Sequence, residues 1–487
     1  MLLISAAERW SGLFDFSTTR YIQKKQEKEW EIVPLKPVWK PYNKEAQRFL
    51  EWFCTHFCNV PAQPKKRAKY LAVVSSFLAL SQQVFNKTYS QMAIPHDNNY
   101  WSAFPDAGRK VVANVREDLL SSGAIHFIED TGFKNVWKDD DGKWEQDGQV
   151  SLYALDDSLL SQEGFVDAEW IETGRPPLQI GKPESRRQRS ERKKQNKASP
   201  KMLLKDMKGV GRDYSIASNG VTQLNTFMKQ HPLALPPLAN GVVSYAASMT
   251  RIYHNGSMIE GGRYYGAWTN LQGDYRLQST IDGEPIVSID LNASQPTLFN
   301  ALMGMKMNLG DSWYDLYAEA VSDLAKSVDD YEPLRNKIKQ VAVEIIGTGN
   351  PFKDKPAKAG KCVFDEVTDE YSVIRKRLID TAPALIWLDN AYHNGAGFIS
   401  YHEAEMMTLV LHRLMALNIP AYPVHDCLMV KASHQEEAMT VLRDTIQAYI
   451  IAHCKQNKRP NIISLVVPVS VEGNGKKKTR LKGYYEG

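Results

Sequence analysis

Apolar residues in this chain follow two different periods, and segments of the two kinds alternate along the sequence. Between Lys65 and Phe85 they recur every three or four residues, which predicts an amphipathic helix. The same period, with valines and leucines on one side, predicts a second helix from about Ala107 to Gly123. Two runs rich in β-branched and aromatic residues, 125–128 and 150–155, have the length and composition of strands. The first part of the chain is therefore predicted to mix helices with a small sheet.

The second predicted helix carries its positive charge on one side. Arg109, Lys110 and Arg116 lie opposite the apolar stripe. Two helices, the second of them basic, followed by a hairpin with a long polar tip are similar to a winged-helix module, in which a helix enters the major groove. We therefore predict an N-terminal extension at residues 1–60 and a winged-helix-like nucleic-acid-binding domain at 61–178. A generic small α+β domain with a merely solvated basic face is the alternative.

Residues 179–210 differ sharply in composition from their surroundings. Lysine and arginine crowd this stretch around few acids, with almost no apolar residue before Met202. Such a run cannot bury a core, so we predict a basic linker between two domains. As a polycation it would bind a phosphate backbone without recognising sequence, whereas the alternative is a linker that only aids solubility.

Overall composition narrows the class of protein only modestly. The 487 residues are 43% hydrophobic and 24% charged, as in ordinary globular proteins, and a formal charge of +4 does not by itself indicate a nucleic-acid partner. Five scattered cysteines argue against a disulfide framework and for a reducing compartment. Since no apolar run reaches bilayer length, we predict a cytoplasmic protein without a membrane partner.

Two strand-like runs in the second half each lead to an aspartate. The run Ile286 to Ile289 ends at Asp290, where a helical pattern begins, and 421–424 leads to Asp426, followed by another apolar strand. If the strands pair, the two carboxylates lie side by side, and like charges that close are tolerated mainly around a divalent cation. Oxygen ligands suit Mg²⁺, and two such ions can hold the attacking and leaving oxygens of a phosphoryl transfer. Each aspartate alone could equally be a turn or helix-cap residue.

The segments before Asp290 contain residues suited to a nucleic-acid strand. Arg263 and Tyr264 lie between glycines, and Asn270-Leu271-Gln272 and Arg276 follow. Arginine and tyrosine can contact a sugar-phosphate strand and stack on bases. This order resembles family A DNA polymerases, which run from Thr-Gly-Arg through Asn-Leu-Gln to a motif A aspartate, and is similar to the phage-type single-subunit RNA polymerases.

The resemblance implies a metal site and contacts to the primer-template. Asp290 would be the motif A ligand, completed by the carbonyl of Leu291, and Asp426 the motif C ligand, together holding two Mg²⁺ ions, with Mn²⁺ as the alternative. Cysteine occupies the third place of motif C at position 427, and it is not a useful magnesium ligand. The residues expected against the nucleic acid are Arg263, Tyr264, Arg276 and His425.

The resemblance also implies a nucleotide site. A helix predicted to begin at Pro333 carries Arg335 and Lys339 four residues apart, hence on one face, where the family grips a triphosphate. Gln295 replaces the family's glutamate against the incoming sugar, and the fingers-helix aromatic is absent. Both differences leave the choice between deoxy- and ribonucleotides open.

A helix predicted to open at Tyr401 carries two further candidates. His402 and Glu405 are similar to the His-x-x-Asp pair that borders the product end in single-subunit RNA polymerases. The alternative is that they are charges favoured near a helix N-terminus by its dipole. A helix at 435–451 and a strand at 462–471 are predicted to complete the palm.

The fold predicted for the chain is α+β, a right-hand polymerase at 211–487 with an antiparallel palm sheet and helical fingers. The predicted activity is that of a DNA-directed DNA polymerase without proofreading, from a phage, plasmid or other mobile element. Its expected partners are a DNA template and primer, nucleoside triphosphates and replication proteins. A DNA-directed RNA polymerase or primase, and a non-catalytic DNA-binding replication factor, are the alternatives.

Overall fold

The computed structural model describes most of the chain from residue 32 onward. The described residues are 32–85, 91–95, 101–131, 136–138, 144–146, 150–191, 202–305, 331–352, 369–388, 395–473 and 478–486, apart from short gaps at 102–103, 105–106, 161, 163, 186, 189–190, 203–205, 208, 238–241, 349, 382, 461 and 483. Most of the predicted basic linker and the polar hairpin tip at 139–142 lie outside them. The chain divides into two compact units, one of residues up to Asn225 with Pro232–Thr250, the other of Thr226–His231 with Arg251 onward.

The first unit is an α+β assembly built around a four-stranded sheet. Its elements are β1 (Ile32–Pro34), β2 (Trp39–Pro41), α1 (Lys44–Phe57), α2 (Pro64–Phe85), β3 (Gln91–Pro95), α3 (Arg109–Ser121), β4 (Ile125–Thr131), β5 (Val136–Lys138), β6 (Trp144–Gln146), β7 (Val150–Leu155), α4 (Asp157–Leu160), β8 (Trp170–Glu172), β9 (Leu178–Ile180), most of α5 (Arg212–Met228), β10 (Leu233–Ala234) and β11 (Tyr245–Ala246). The sheet order is β1-β3-β7-β4, antiparallel except for β1 and β3.

Helices α2 and α3 confirm the two helical patterns. The apolar face of α2 is buried at Tyr70, Val73, Val74 and Phe77, and α3 buries Val112, Val115 and Leu119 in the same core. Burial of these faces is what holds the helices against the sheet.

The basic side of α3 lies at the surface. Arg109 and Lys110 are exposed and Arg116 is partly exposed. A surface cluster of this kind is compatible with nucleic acid and with simple solvation, so the winged-helix assignment stays a prediction.

The second unit contains the two aspartate strands. Its elements are most of β12 (Thr250–Tyr253), β13 (Gly261–Tyr265), α6 (Gly273–Arg276), β14 (Thr280–Ile281), β15 (Glu284–Leu291), α7 (Ser294–Leu302), α8 (Tyr331–Thr348), α9 (Asp369–Thr381), α10 (Gly395–Ala416), β16 (Ala421–Val424), β17 (Cys427–Lys431), α11 (Gln435–Gln456), β18 (Ser464–Val466), β19 (Val469–Gly473), β20 (Thr479–Leu481) and β21 (Tyr484–Glu486). Strand β15 is central in an antiparallel order β20-β19-β15-β17-β16.

Two sequence predictions for this unit need correction. The strand predicted at 462–471 is two strands, because Pro468 cannot donate a ladder hydrogen bond; only β19 joins β15, and β18 pairs with β21. Helix α10 begins at Gly395 rather than at Tyr401, so His402 and Glu405 lie beyond its first turn. The alternative that they interact with a helix N-terminus is therefore wrong.

Among the helices within the described ranges, none is both long enough and apolar enough to cross a bilayer.

Candidate active site

Asp290 and Asp426 come together because their strands are neighbours. In the antiparallel pairing of β15 with β17, Asp290 lies directly opposite Cys427, the residue after Asp426. The backbone N–H of Leu291 donates to the carbonyl oxygen of Asp426 at 3.3 Å, next to that register pair. The neighbouring-strand arrangement expected from the sequence is formed by the strand that follows Asp426, although 136 positions separate the two aspartates; the preceding run 421–424 pairs with β17 and not with β15.

The residues along β15 alternate in burial, and this alternation aims Asp290 away from the core. Ile289 and Leu291 are buried, whereas Ser288 and Asp290 lie on the opposite, more open face. On the other side of β15, Ser470 of β19 is the register partner of Asp290. Because β15 pairs with β17 on one side and with β19 on the other, two neighbouring strands fix the backbone that carries the Asp290 carboxylate.

The two carboxyl groups repel each other. Burial and the negative charge of Asp426 raise the pKa of Asp290, and Lys478 and Lys339 offset part of this rise. Burial and the charge of Glu403 raise the pKa of Asp426 to about 6. Partly buried acids that resist ionisation in this way are typical of sites that receive a cation or a proton.

The turn between β16 and β17 sets the position of Asp426. Because Val424 pairs with Cys427, His425 and Asp426 form a two-residue hairpin loop. His425 has φ of 59°, a conformation that non-glycine residues rarely adopt. Its ring lies edge-on to Tyr265 at 5.2 Å between centroids. This strained turn presents the acid at the very end of both strands.

His425 is held as a neutral imidazole. Burial, followed by the positive charges of Arg263 and Arg276, lowers its pKa to about 4. Arg276 in turn donates from Nη1 to the carbonyl of Leu271 at 3.1 Å. The structure thus places three of the residues predicted to contact nucleic acid, His425, Arg263 and Arg276, within electrostatic reach of one another.

The donor set fits a magnesium ion. Among the described residues no cluster of three or more His, Cys, Asp or Glu side chains could hold a metal ion, and Asp290 and Asp426 are two carboxylates close enough for their charges to interact. Magnesium commonly binds proteins through one or two carboxylates and takes its remaining ligands from water and substrate phosphates. Two adjacent, mutually repelling carboxylates on an open sheet face meet that requirement.

Cys427 is not part of this donor set. Its side chain is buried, its Sγ lies 2.8 Å from Oγ of Ser288, and burial and the charge of Asp290 raise its pKa to about 12. A thiol that stays protonated is a poor metal ligand. That the site rests on Asp290 and Asp426 alone stays a prediction.

No protein-family profile matches this chain. No curated protein matches it either. Among solved structures it is similar to the POL domain of Pol1 from M. smegmatis in complex with DNA primer-template and dNTP, with a TM-score of 0.29 and 10% identity over 48% of this chain and 50% of that one. The alignment therefore spans half of that polymerase chain, and a function has to be inferred from the site itself.

A buried ion pair lies beside Asp426 and was not predicted. Glu403 of α10 is 1% exposed and accepts hydrogen bonds from Nε of Arg263 at 2.7 Å, from Nη2 of the same arginine, and from Oγ of Ser294 at 2.6 Å. The contact joins β13, α7 and α10 around Asp426. Arg263, predicted to lie against a duplex, thus has two of its donors engaged inside the protein.

The glycines around Arg263 serve internal packing. A Cβ on Gly266 would lie 2.3 Å from the ring of Trp268, and one on Gly262, where φ is 82°, would lie 2.8 Å from Tyr253. Tyr264 is 1% exposed and its hydroxyl is 2.8 Å from Oγ1 of Thr408. The prediction for Tyr264 is corrected, because a ring so buried offers no face to a base.

His402 and Glu405 also have partners within the protein. His402 is 7% exposed, and its Nδ1 lies 2.6 Å from the hydroxyl of Tyr449. Glu405 pairs with the buried Arg251 at 2.7 Å. Burial and the charge of His453 lower the pKa of His402 to about 3. The nucleotide role predicted for His402 is corrected, because so little of its ring reaches solvent.

The predicted triphosphate residues lie on α8, as the sequence pattern requires. Lys339 is exposed, and its charge acts on Asp290, which places it near the carboxylate pair. Arg335 is partly exposed one turn earlier, and Gln295 is partly exposed at the second position of α7. Their roles stay predictions.

Lys478 is the other residue that sequence reasoning missed. Its Nζ donates to Oδ2 of Asp290 at 3.0 Å, although the two residues are 188 positions apart. The only sequence signal was a run of lysines near the C-terminus, which by itself is typical of a solvated tail.

Proposed function

We propose that this protein is a template-directed nucleotidyltransferase, in its most specific form a DNA-directed DNA polymerase without proofreading. The supporting observation is the pair Asp290 and Asp426, which lie at the end of the antiparallel strands β15 and β17 with Lys339 of α8 nearby. A single short motif can occur by chance in a sequence, whereas these two residues come together only because the chain folds in this way. A phage, plasmid or other mobile element is the proposed source of such a compact polymerase.

The proposed mechanism assigns a task to each residue. The carboxylates of Asp290 and Asp426 and the carbonyl of Leu291 would hold the ions. When bound, Mg²⁺ would act as a Lewis acid toward the attacking 3′-hydroxyl and the leaving pyrophosphate. Lys339 and Arg335 would bind the β- and γ-phosphates and orient the α-phosphate for in-line attack.

The Arg263–Glu403 pair would maintain the geometry of the site. Glu403 fixes Arg263 and the N-terminal residue of α7, and α7 directly follows the strand that carries Asp290. Holding catalytic groups on packed secondary structure reduces reorganisation during the reaction. In the first unit, the exposed basic residues of α3 would bind the DNA backbone.

Incorporation assays test the proposal directly. Purified protein is given primed or unprimed DNA with labelled dNTPs or NTPs and Mg²⁺, and we expect primer extension with dNTPs. Asp426→Asn should abolish incorporation and leave DNA binding unchanged. Extension with NTPs would assign an RNA polymerase, and NTP products on unprimed template would assign a primase. If no nucleotide is incorporated under any of these conditions, the protein is a DNA-binding factor and the proposal is wrong.

A further inference from the structure

Two strands carry Lys478 to the candidate site. The residue directly precedes β20, which pairs with β19 so that Val471 lies opposite Thr479. Strand β19 in turn pairs with β15, with Ser470 opposite Asp290. Since neighbouring strands lie about 4.8 Å apart, a lysine side chain at the start of β20 can reach across to the centre of the sheet.

The contact that Lys478 makes is a direct ion pair. Its Nζ lies 3.0 Å from Oδ2 of Asp290, and the two side chains are 40% and 34% exposed. Both are open enough to exchange the contact for another partner. The attraction also offsets part of the repulsion that Asp426 exerts on Asp290.

An ammonium group and a divalent ion on the same carboxylate oxygen repel each other, so the two compete for it. An ion that binds through Oδ2 of Asp290 must overcome the charge of Lys478 or displace its Nζ, and either cost weakens metal binding. We propose that Lys478 is a tethered competitor for the divalent ion at Asp290, so that strand β20 sets the metal concentration at which the site fills. This inference rests on the proposed function of Asp290 as a metal ligand.

Binding of Mn²⁺ to the nucleotide-free protein, measured from the paramagnetic resonance signal of the free ion, tests the inference without an activity assay. Lys478→Met keeps most of the aliphatic stem and removes the charge. We expect this variant to bind Mn²⁺ about threefold more tightly than the wild type, the size expected for a partly exposed ion pair. Lys478→Arg should stay close to the wild type.

A matched control separates competition at one oxygen from a general change in charge. Lys455 is exposed near the end of α11, and Lys455→Met removes the same charge. We expect this control to leave Mn²⁺ affinity unchanged, and Asp290→Asn to abolish the binding in either background. If Lys478→Met binds Mn²⁺ as the wild type does, or more weakly, the inference is wrong.

Different experimental outcomes would overturn this inference and the proposed function. Unchanged Mn²⁺ affinity in Lys478→Met, together with normal primer extension by the wild type, would overturn the competition and leave the polymerase proposal standing. A wild type whose Mn²⁺ binding does not depend on Asp290 and Asp426 would overturn both.

Discussion

Two charged pairs lie side by side in the second unit and differ in every physical respect. Asp290 and Asp426 carry like charges on an open sheet face; the charge of Asp426 raises the pKa of Asp290, and burial with the charge of Glu403 raises that of Asp426. Arg263 and Glu403 carry opposite charges, and the glutamate is 1% exposed with its oxygens hydrogen-bonded. The first pair costs folding energy, whereas the second supports the fold. A destabilising pair of like charges that is held at the end of two rigid strands is typical of a functional site.

Removing one partner of the buried pair should have the largest effect on stability. Glu403→Gln removes the carboxylate that is hydrogen-bonded to the largely buried Arg263 guanidinium, and we expect the free energy of unfolding to fall by about 3 kcal/mol. Urea denaturation measures it. Glu437→Gln, at an exposed position in the first turn of α11, should change stability by less than about 0.5 kcal/mol. Equal losses in the two variants would show that the buried pair contributes no more to stability than an exposed glutamate does.

Lys339 of α8 should matter for substrate binding rather than for stability. We expect Lys339→Ala to raise the KM for the nucleoside triphosphate about tenfold, because a charge-assisted phosphate contact is lost, with little change in melting temperature. Lys337→Ala is the control, since residues two apart on a helix do not share a face. Steady-state kinetics with varied triphosphate would contradict the account if both substitutions had the same effect.

The pH dependence of stability should reveal the cost of burying the ionised Asp426 beside Glu403. The folded protein holds the Asp426 proton more tightly than the unfolded chain, because the pKa is about 6 rather than near 3.8. The ionised carboxylate therefore destabilises the fold at pH 7, and this cost vanishes as the pH falls through 6 toward 4. In the presence of a chelator, Asp426→Asn should melt higher than the wild type at pH 7, and the difference should shrink at pH 4.5. A difference in melting temperature that does not vary with pH would mean that the fold does not raise the pKa of Asp426.

The smallest effect is expected at the position between the two aspartates. Cys427→Ser keeps a small hydroxyl partner for Ser288, and a protonated thiol contributes no metal bond. Incorporation rate and Mn²⁺ affinity should stay within about twofold of the wild type. A large loss of Mn²⁺ binding would show that the thiol is a ligand after all.

The sequence predicted those features that depend on local pattern. The helices α2, α3 and α11 and the strand leading to Asp290 follow from periodicity and β-branched composition. A neighbouring position for the two strands was expected because each lies next to an aspartate, but the strand that pairs with β15 is β17, after Asp426, and not the run 421–424 that leads to it. The start of α10 was missed because the glycines at its beginning are weak helix formers.

Contacts between distant residues could not be predicted in the same way. Glu403 and Arg263 are 140 positions apart and Lys478 and Asp290 are 188 apart, and no local pattern marks either pair. Tyr264 was misassigned because its neighbours, two glycines and an arginine, suggest an exposed loop, whereas alternation along β13 turns its ring into the core. Burial on one face of a strand is a property of the fold and not of the motif.

Single-turnover nucleotide incorporation by Asp290→Asn, Asp426→Asn and the double variant tests the central claim most directly. If the two carboxylates hold ions together, each single substitution should slow incorporation by about a thousandfold or more, and the double variant should be hardly slower than either one. Wild-type rates in Asp290→Asn, or losses that multiply in the double variant, would contradict a shared site.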